Sequence, residues 1–160
     1  MSASEFIGNE ATRAGTIYAT NHVLEIRNCN FSSNRATQTN GGALDLSCPL
    51  DVSCVYEIIG NNFTNNSALV AGGAIKWDDV MPSNLTTNTY EQNTALYGPD
   101  RASYPTKIIR NKRLSQDLTH DDEPIENVAS GQPANYTIRT ELLDHYEQRV
   151  TSDSQSEIVL

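Results

Sequence analysis

Four segments of this chain repeat one phrase, and that repeat constrains the fold more than any other feature. An aromatic residue is followed by Asn three positions on and Ala five positions on, at Phe6/Asn9/Ala11, Phe31/Asn34/Ala36, Phe63/Asn66/Ala68 and Tyr90/Asn93/Ala95. Successive aromatics lie 25, 32 and 27 residues apart. Three copies run on through small residues into an alternating stretch: Ala14-Gly15-Thr16-Ile17-Tyr18, Gly41-Gly42-Ala43-Leu44-Asp45 and Gly72-Gly73-Ala74-Ile75-Lys76. The fourth reaches Gly98 and then departs into Pro99-Asp100. Upstream of the aromatic, an apolar residue recurs at Ile26, Ile58 and Leu85, and a small or polar one at Cys29, Asn61 and Asn88. The period is not helical, and a unit this short cannot bury its own apolar face, so it must stack on its neighbours.

Such a stack is a solenoid of β-coils, which predicts an all-β fold over residues 1–106. Parallel coils about 4.8 Å apart bring equivalent side chains into ladders. Phe6, Phe31, Phe63 and Tyr90 should form an aromatic column, and Asn9, Asn34, Asn66 and Asn93 an amide ladder that satisfies backbone groups at a corner. The glycine pairs admit positive φ, or a close approach of backbones where a Cβ would clash. Period-two alternation puts Ile17, Leu44 and Ile75 on one face with Ala19, Leu46 and Trp77. Tyr18, Asp45 and Lys76 then lie on the opposite, mixed polar face.

Phe31-Ser32-Ser33-Asn34 with Gly41-Gly42-Ala43-Leu44, and Phe63-Thr64-Asn65-Asn66 with Gly72-Gly73-Ala74-Ile75, resemble the FxxN and GGA(I/L) motifs of polymorphic outer membrane proteins. Similar repeats occur in large ciliate surface proteins, where they resemble the pectin-lyase-like right-handed parallel β-helix. The resemblance covers roughly residues 1–105. It implies a right-handed solenoid and an element of a membrane-anchored surface protein.

Charge narrows the partners. The chain carries 20 acidic against 11 basic residues, a formal −9. Nucleic-acid binding needs cations to displace condensed counterions, so nucleic acid and anionic membrane are excluded as partners; glycans or other surface proteins remain. Asn30, Asn62, Asn65, Asn84 and Asn135 each begin an Asn-x-Ser/Thr sequon, an acceptor only after passage through a secretory compartment. No leader accompanies them at the N-terminus, which suggests a fragment of an extracellular or cell-surface protein. Cys48 and Cys54 bracket a loop short enough for a disulfide to close, although three buried thiols would serve equally; Cys29 is left over.

From residue 107 the repeat stops. Residues 107–127 mix Lys107, Arg110, Lys112 and Arg113 with Asp117, Asp121, Asp122 and Glu123 around Pro124, which reads as a solvated connector. In residues 128–160, the runs Tyr136–Asp144 and His145–Val150 alternate loosely, as in the opening strands of an immunoglobulin-like β-sandwich.

One pair of residues supports catalysis. Asp45 and Asp78 fall one coil and two residues out of register, roughly 8 Å apart on strand and coil spacings. That matches the separation of about 6.5–9.5 Å used by inverting glycosidases. Against it, Lys76 would stand beside Asp45 on the same ladder and neutralise it. Trp77 falls inward and suits the core better than a sugar platform. His22, His120 and His145 lack metal-ligand spacing, and Asp78-Asp79 and Asp121-Asp122-Glu123 read as solvated acids. The expectation is therefore a non-catalytic structural, adhesive or recognition element with no cofactor and no metal. The alternative is a carbohydrate-active β-helix enzyme using Asp45 and Asp78, or a carbohydrate-binding module.

Overall fold

Short strands alternate with sharp corners because an αL residue, usually a small or amide one, interrupts the extended backbone every few positions. The computed structural model describes residues 1–20, 23–49, 51–110 and 140–152. The first coil contains β1 (Glu5–Ile7), β2 (Glu10–Ala11), β3 (Ile17–Ala19) and β4 (Val23–Arg27). The second contains β5 (Asn30–Ser32), β6 (Arg35–Ala36), β7 (Leu44–Leu46) and β8 (Val55–Ile59). The third has β9 (Asn62–Thr64), β10 (Ser67–Ala68), β11 (Ile75–Trp77) and a single 3-10 turn, Leu85–Thr87, where the fourth strand would stand. A last partial coil holds β12 (Thr89–Glu91) and β13 (Arg101–Ala102).

Like strands stack on like in parallel. The aromatic sheet runs β1-β5-β9-β12, a short sheet β2-β6-β10, a charged sheet β3-β7-β11-β13 and a return sheet β4-β8. The chain is thus a parallel β-solenoid of about three turns. Register follows the sequence repeat: Phe6 pairs with Phe31, Phe31 with Phe63 and Phe63 with Tyr90. The rings stack nearly parallel with centroids 4.8, 5.0 and 5.4 Å apart. Each such contact contributes about 0.5–1.5 kcal/mol beyond the area it buries.

The expected amide ladder is present at the corner after the aromatic sheet. Asn9, Asn34 and Asn66 each donate from Nδ2 to the Oδ1 of the Asn one coil on, at 2.8, 2.9 and 3.0 Å. The same Oδ1 atoms accept the backbone N–H of the preceding Asn. The second Nδ2 hydrogen reaches back to the aromatic carbonyl of the preceding coil, as from Asn34 to Phe6 and from Asn66 to Phe31. Asn34 and Asn66 are fully buried with every amide hydrogen used, which is the condition for placing an amide in a core. Each ladder residue follows one with positive φ: Gly8, Ser33, Asn65 and Gln92.

A second ladder stands two residues before the aromatic, where the sequence showed only small or polar residues. Asn61 Nδ2 donates to Asn88 Oδ1 (3.0 Å) and to the carbonyl of Ile26, and Asn88 Nδ2 donates to that of Ile58. Cys29 takes the first rung with its backbone N–H on Asn61 Oδ1 (2.8 Å).

The two glycines of each pair have different duties. Gly41 and Gly72 adopt φ of +65°. Gly42 and Gly73 do not, but a Cβ on Gly42 would run into the carbonyl oxygen of Gly73, and one on Gly73 into that of Pro99. Gly98 repeats the positive φ at +60°. Pro99 then occupies the close-approach position, where no further coil stands above it among the described residues.

Cys48 and Cys54 form a disulfide with Cα atoms 6.0 Å apart, closing the loop between β7 and β8. Both are buried against the core, and Cys29 is a buried free thiol.

The C-terminal end differs from expectation. Lys107–Arg110, placed in the connector by its charge, is a strand, β14, paired antiparallel with β15 (Thr140–Leu143). Composition misled here because the adjacent pair Ile108-Ile109 is set inside a run read by its charge. Of the segment expected to open a sandwich, residues 140–152 are described, and they close the end of the solenoid. Asp144 accepts the N–H of Ser103 at 3.2 Å, and Gln148 Nε2 donates to the carbonyl of Arg101 at 2.8 Å. The Arg101 guanidinium lies between the rings of Tyr90 and Tyr146, 5.0 and 4.6 Å from their centroids. Tyr146 meets Trp77 edge-on at 5.6 Å. Val150 and Leu142 pack with Ala71, Tyr97 and Ala102 in a small second core. Solenoids need such terminal caps, since the last coil otherwise offers its apolar edge to water. The connector beyond 110, His22, His120, the Asp121-Asp122-Glu123 run and Asn135 lie outside the described residues.

Candidate functional site

The charges worth testing for chemistry sit on the outward side of the charged sheet. Register places Tyr18, Asp45, Lys76 and Ala102 on successive rungs. The sequence predicted a mixed polar face here, but Asp45 is only 1 % exposed and Lys76 5 %. Strands β7 and β11 are buried on both sides, as Leu44–Leu46 and Ile75–Trp77 show without a break. Ionised groups are kept in such a place only if paired.

The pairing differs from the expected ladder. Arg13 Nε donates to Asp45 Oδ2 at 3.1 Å, and its guanidinium lies 3.8 Å above the ring of Tyr18. Lys76 does not neutralise Asp45 by a direct bond. Its Nζ turns along its own strand and donates to Asp78 Oδ1 (2.6 Å) and to the carbonyl of Trp77 (2.9 Å). Residues two apart on a strand share a face, so the long lysine stem reaches Asp78 with less reorganisation than a neighbour across the ladder. Arg13 was missed because it lies in the first corner, outside any repeated position. Its clue was a lone cation two residues before the glycine of a degenerate copy.

Electrostatics follow burial. Desolvation pushes the Asp45 carboxyl above the usual carboxylate range; Arg13 and Lys76 oppose this, and the charge of Asp78 adds to it. The two carboxylates therefore lie within each other's field. Tyr56 donates its hydroxyl to the Ser47 carbonyl at 2.8 Å, and burial, with smaller contributions from Asp78 and Tyr18, raises its phenol. Trp77 lies in the core, 2 % exposed, as its inward phase predicted.

A second feature lies on the short sheet. Arg35, Ala36 and Thr37 of one coil and Ser67, Ala68 and Leu69 of the next line a shallow groove of about 230 Å³. Arg35 is exposed there and makes no ion pair among the described residues, whereas Arg27, the other cation outside any cluster, is held by Glu25 and Glu57.

The four described sequons occupy the outside of the coils. Asn62, Asn65 and Asn84 are exposed and Asn30 is half-buried. Asn30 and Asn62 share a rung of the aromatic sheet, and Thr89 on the next rung donates to Asn62 Oδ1 at 2.7 Å. His145 is exposed, with its ring against Tyr146. Among the described residues no three His, Cys, Asp or Glu side chains converge as a metal site, and no helix is long and apolar enough to cross a membrane. Compared with family models, with curated proteins and with solved structures, the chain has no match.

Proposed function

We propose that this solenoid is a non-catalytic structural element of an extracellular surface protein, a rigid right-handed coil whose outer faces serve adhesion or recognition. The observation that carries the reading is the state of Asp45. The carboxylate an enzyme would need is buried and bound by Arg13, while Lys76 is committed to Asp78. Arg13 with Asp45 ties the first coil to the second and Lys76 with Asp78 is paired within the third, an arrangement that supports a structural use of these charges. The disulfide supports an oxidising compartment, where such bonds persist. The exposed sequons support glycosylation there, and the FxxN and GGA(I/L) resemblance supports a membrane-anchored parent. A β-sandwich over residues 128–160 stays in this reading on its sequence alternation alone.

A second reading has its own observation. The groove beside Arg35 offers a cation with no ion pair among the described residues, with the hydroxyls of Thr37 and Ser67 and the apolar wall of Leu69, a combination suited to holding a sugar without cleaving it. One experiment separates these readings from catalysis. The folded chain is incubated with neutral and acidic polysaccharides, scoring retention and new reducing or unsaturated ends. Retention or none, without turnover, is expected. Turnover lost in both Asp45→Asn and Asp78→Asn would overturn the proposal.

A further inference from the structure

Asn40 and Gly41 form the one Asn-Gly pair in the chain, and the fold accounts for only half of it. Gly41 is required, since it turns the corner at φ +65° and a Cβ there would run into the carbonyl of Leu44. Asn40 is not. Its equivalents on the other coils are Arg13, Ala71 and Tyr97, aligned by the backbone bonds from Ala14 to Asn40, from Gly41 to Ala71 and from Gly72 to Tyr97. The Asn40 side chain is half-buried, belongs to neither amide ladder and makes no hydrogen bond among the described residues. An asparagine before glycine is the pair in which the following backbone nitrogen most readily attacks the side-chain amide, because glycine has no Cβ to obstruct the approach.

We propose that Asn40 is a site of spontaneous deamidation which the intact coil holds shut, and whose isoaspartyl product bars the coil from closing again. In the reaction Gly41 N, having lost its proton, forms a bond to Asn40 Cγ; the Cγ–Nδ2 bond breaks and ammonia leaves, giving a succinimide. Water then opens the ring at one carbonyl or the other, to aspartate or isoaspartate, and no further reactant is consumed. In the folded chain this nitrogen is engaged. The peptide group between Asn40 and Gly41 is bonded at both ends: its N–H donates to the Ala71 carbonyl of the third coil at 2.9 Å, and its carbonyl accepts from Ala14 of the first at 3.3 Å. Gly41 N must release Ala71 and turn toward Cγ, so the reaction proceeds from chains in which the second and third coils have parted here. The isoaspartyl product carries the main chain through the former side-chain methylene, one atom longer. The corner has no room for it, since even a Cβ on Gly42 would run into the Gly73 carbonyl. Each opening thus has a chance to be recorded in covalent structure.

The test is incubation of the full chain at neutral pH, folded and in guanidinium chloride, with peptide mass spectrometry to locate deamidation and chromatography to separate aspartyl from isoaspartyl chains. In denaturant Asn40 should react first among the asparagines, with isoaspartate the larger product. In the folded chain it should react at least about tenfold more slowly, because only the opened fraction reacts. Asn40→Gln should lose the reaction at this position, since its longer side chain would have to close a larger ring. On dilution from denaturant the isoaspartyl chains should fail to regain the native far-ultraviolet spectrum. Aspartyl chains from the same incubation, which carry the same charge on an unaltered backbone, should regain it. Equal rates at Asn40 in the two states, another asparagine reacting first in denaturant, or isoaspartyl and aspartyl chains that refold alike would each overturn the proposal.

Discussion

The aromatic sheet and the charged sheet are built on the same coils and obey the same register, yet they use the ladder differently. In the aromatic sheet like stands on like: Phe on Phe, with Asn on Asn at the corner beside it, each side chain satisfied by its equivalent one coil away. One face is dry and the other, with Asn30, Asn62 and Thr89, meets water. In the charged sheet β7 and β11 are buried on both faces, and unlike residues follow one another up the rung: Tyr18, Asp45, Lys76, Ala102. Asp45 and Lys76 find their partners off the rung, in Arg13 and Asp78. A solenoid therefore imposes register without imposing partnership. Repetition determines contacts only where the repeated residue can satisfy itself.

This contrast can be broken or sharpened by substitution. The largest effect belongs to the aromatic column: Phe31→Ala, at a fully buried ring with neighbours above and below, should cost about 3–5 kcal/mol in urea unfolding. Next comes Asn66→Ala, which strands the Asn34 amide and the Phe31 carbonyl in the core; about 2–3 kcal/mol is expected by the same measurement. A cost under about 0.5 kcal/mol would mean that the ladder only records register.

In the charged sheet, Arg13→Ala should cost about 1–2 kcal/mol at neutral pH, less than a fully buried pair because Arg13 itself is half exposed. The sign of its pH dependence is diagnostic. Burial raises the Asp45 carboxyl, so the folded state holds its proton to higher pH than the unfolded state, and stability from this group falls as pH rises from the ordinary carboxylate range through the raised folded value. Removing Arg13 should widen that window, and Asp45→Asn should abolish its slope in thermal melts taken across it. A slope unchanged in Asp45→Asn would dissociate Asp45 from the acid response. The smallest effect is expected on the wet face, where Asn62→Gln should lie within about 0.5 kcal/mol of the parent.

Much of the aromatic half was legible in the sequence because the residues that specify it recur. Phe31 and Phe63, Asn34 and Asn66, and the paired glycines appear at fixed offsets, so period alone gave coil, register and ladder. The second amide ladder was only half legible: Asn61 and Asn88 recur two positions before the ring, but Cys29 breaks the series. The charged half was opaque for a physical reason. Alternation sorts residues to two faces but is silent on whether an outer face is wet, and Arg13, the corner residue that binds Asp45, stands at no repeated position. Arg13 and Asp144 act once each, and a residue used once leaves no periodic trace. The same holds for the cap, where β14 was hidden by charged neighbours and its partner lies 30 residues further on.

Trp77 is the only tryptophan in the chain, and its indole meets the cap through the edge of Tyr146 while its other contacts belong to the coils. The molecule thus carries an intrinsic optical reporter at the seam between two structural units. Detachment of residues 140–150 would admit water to one side of the indole and shift its emission to the red before the coils themselves lose their far-ultraviolet signal. The order in which those two signals change on titration with denaturant reads directly whether the cap and the solenoid melt as one cooperative body or in sequence.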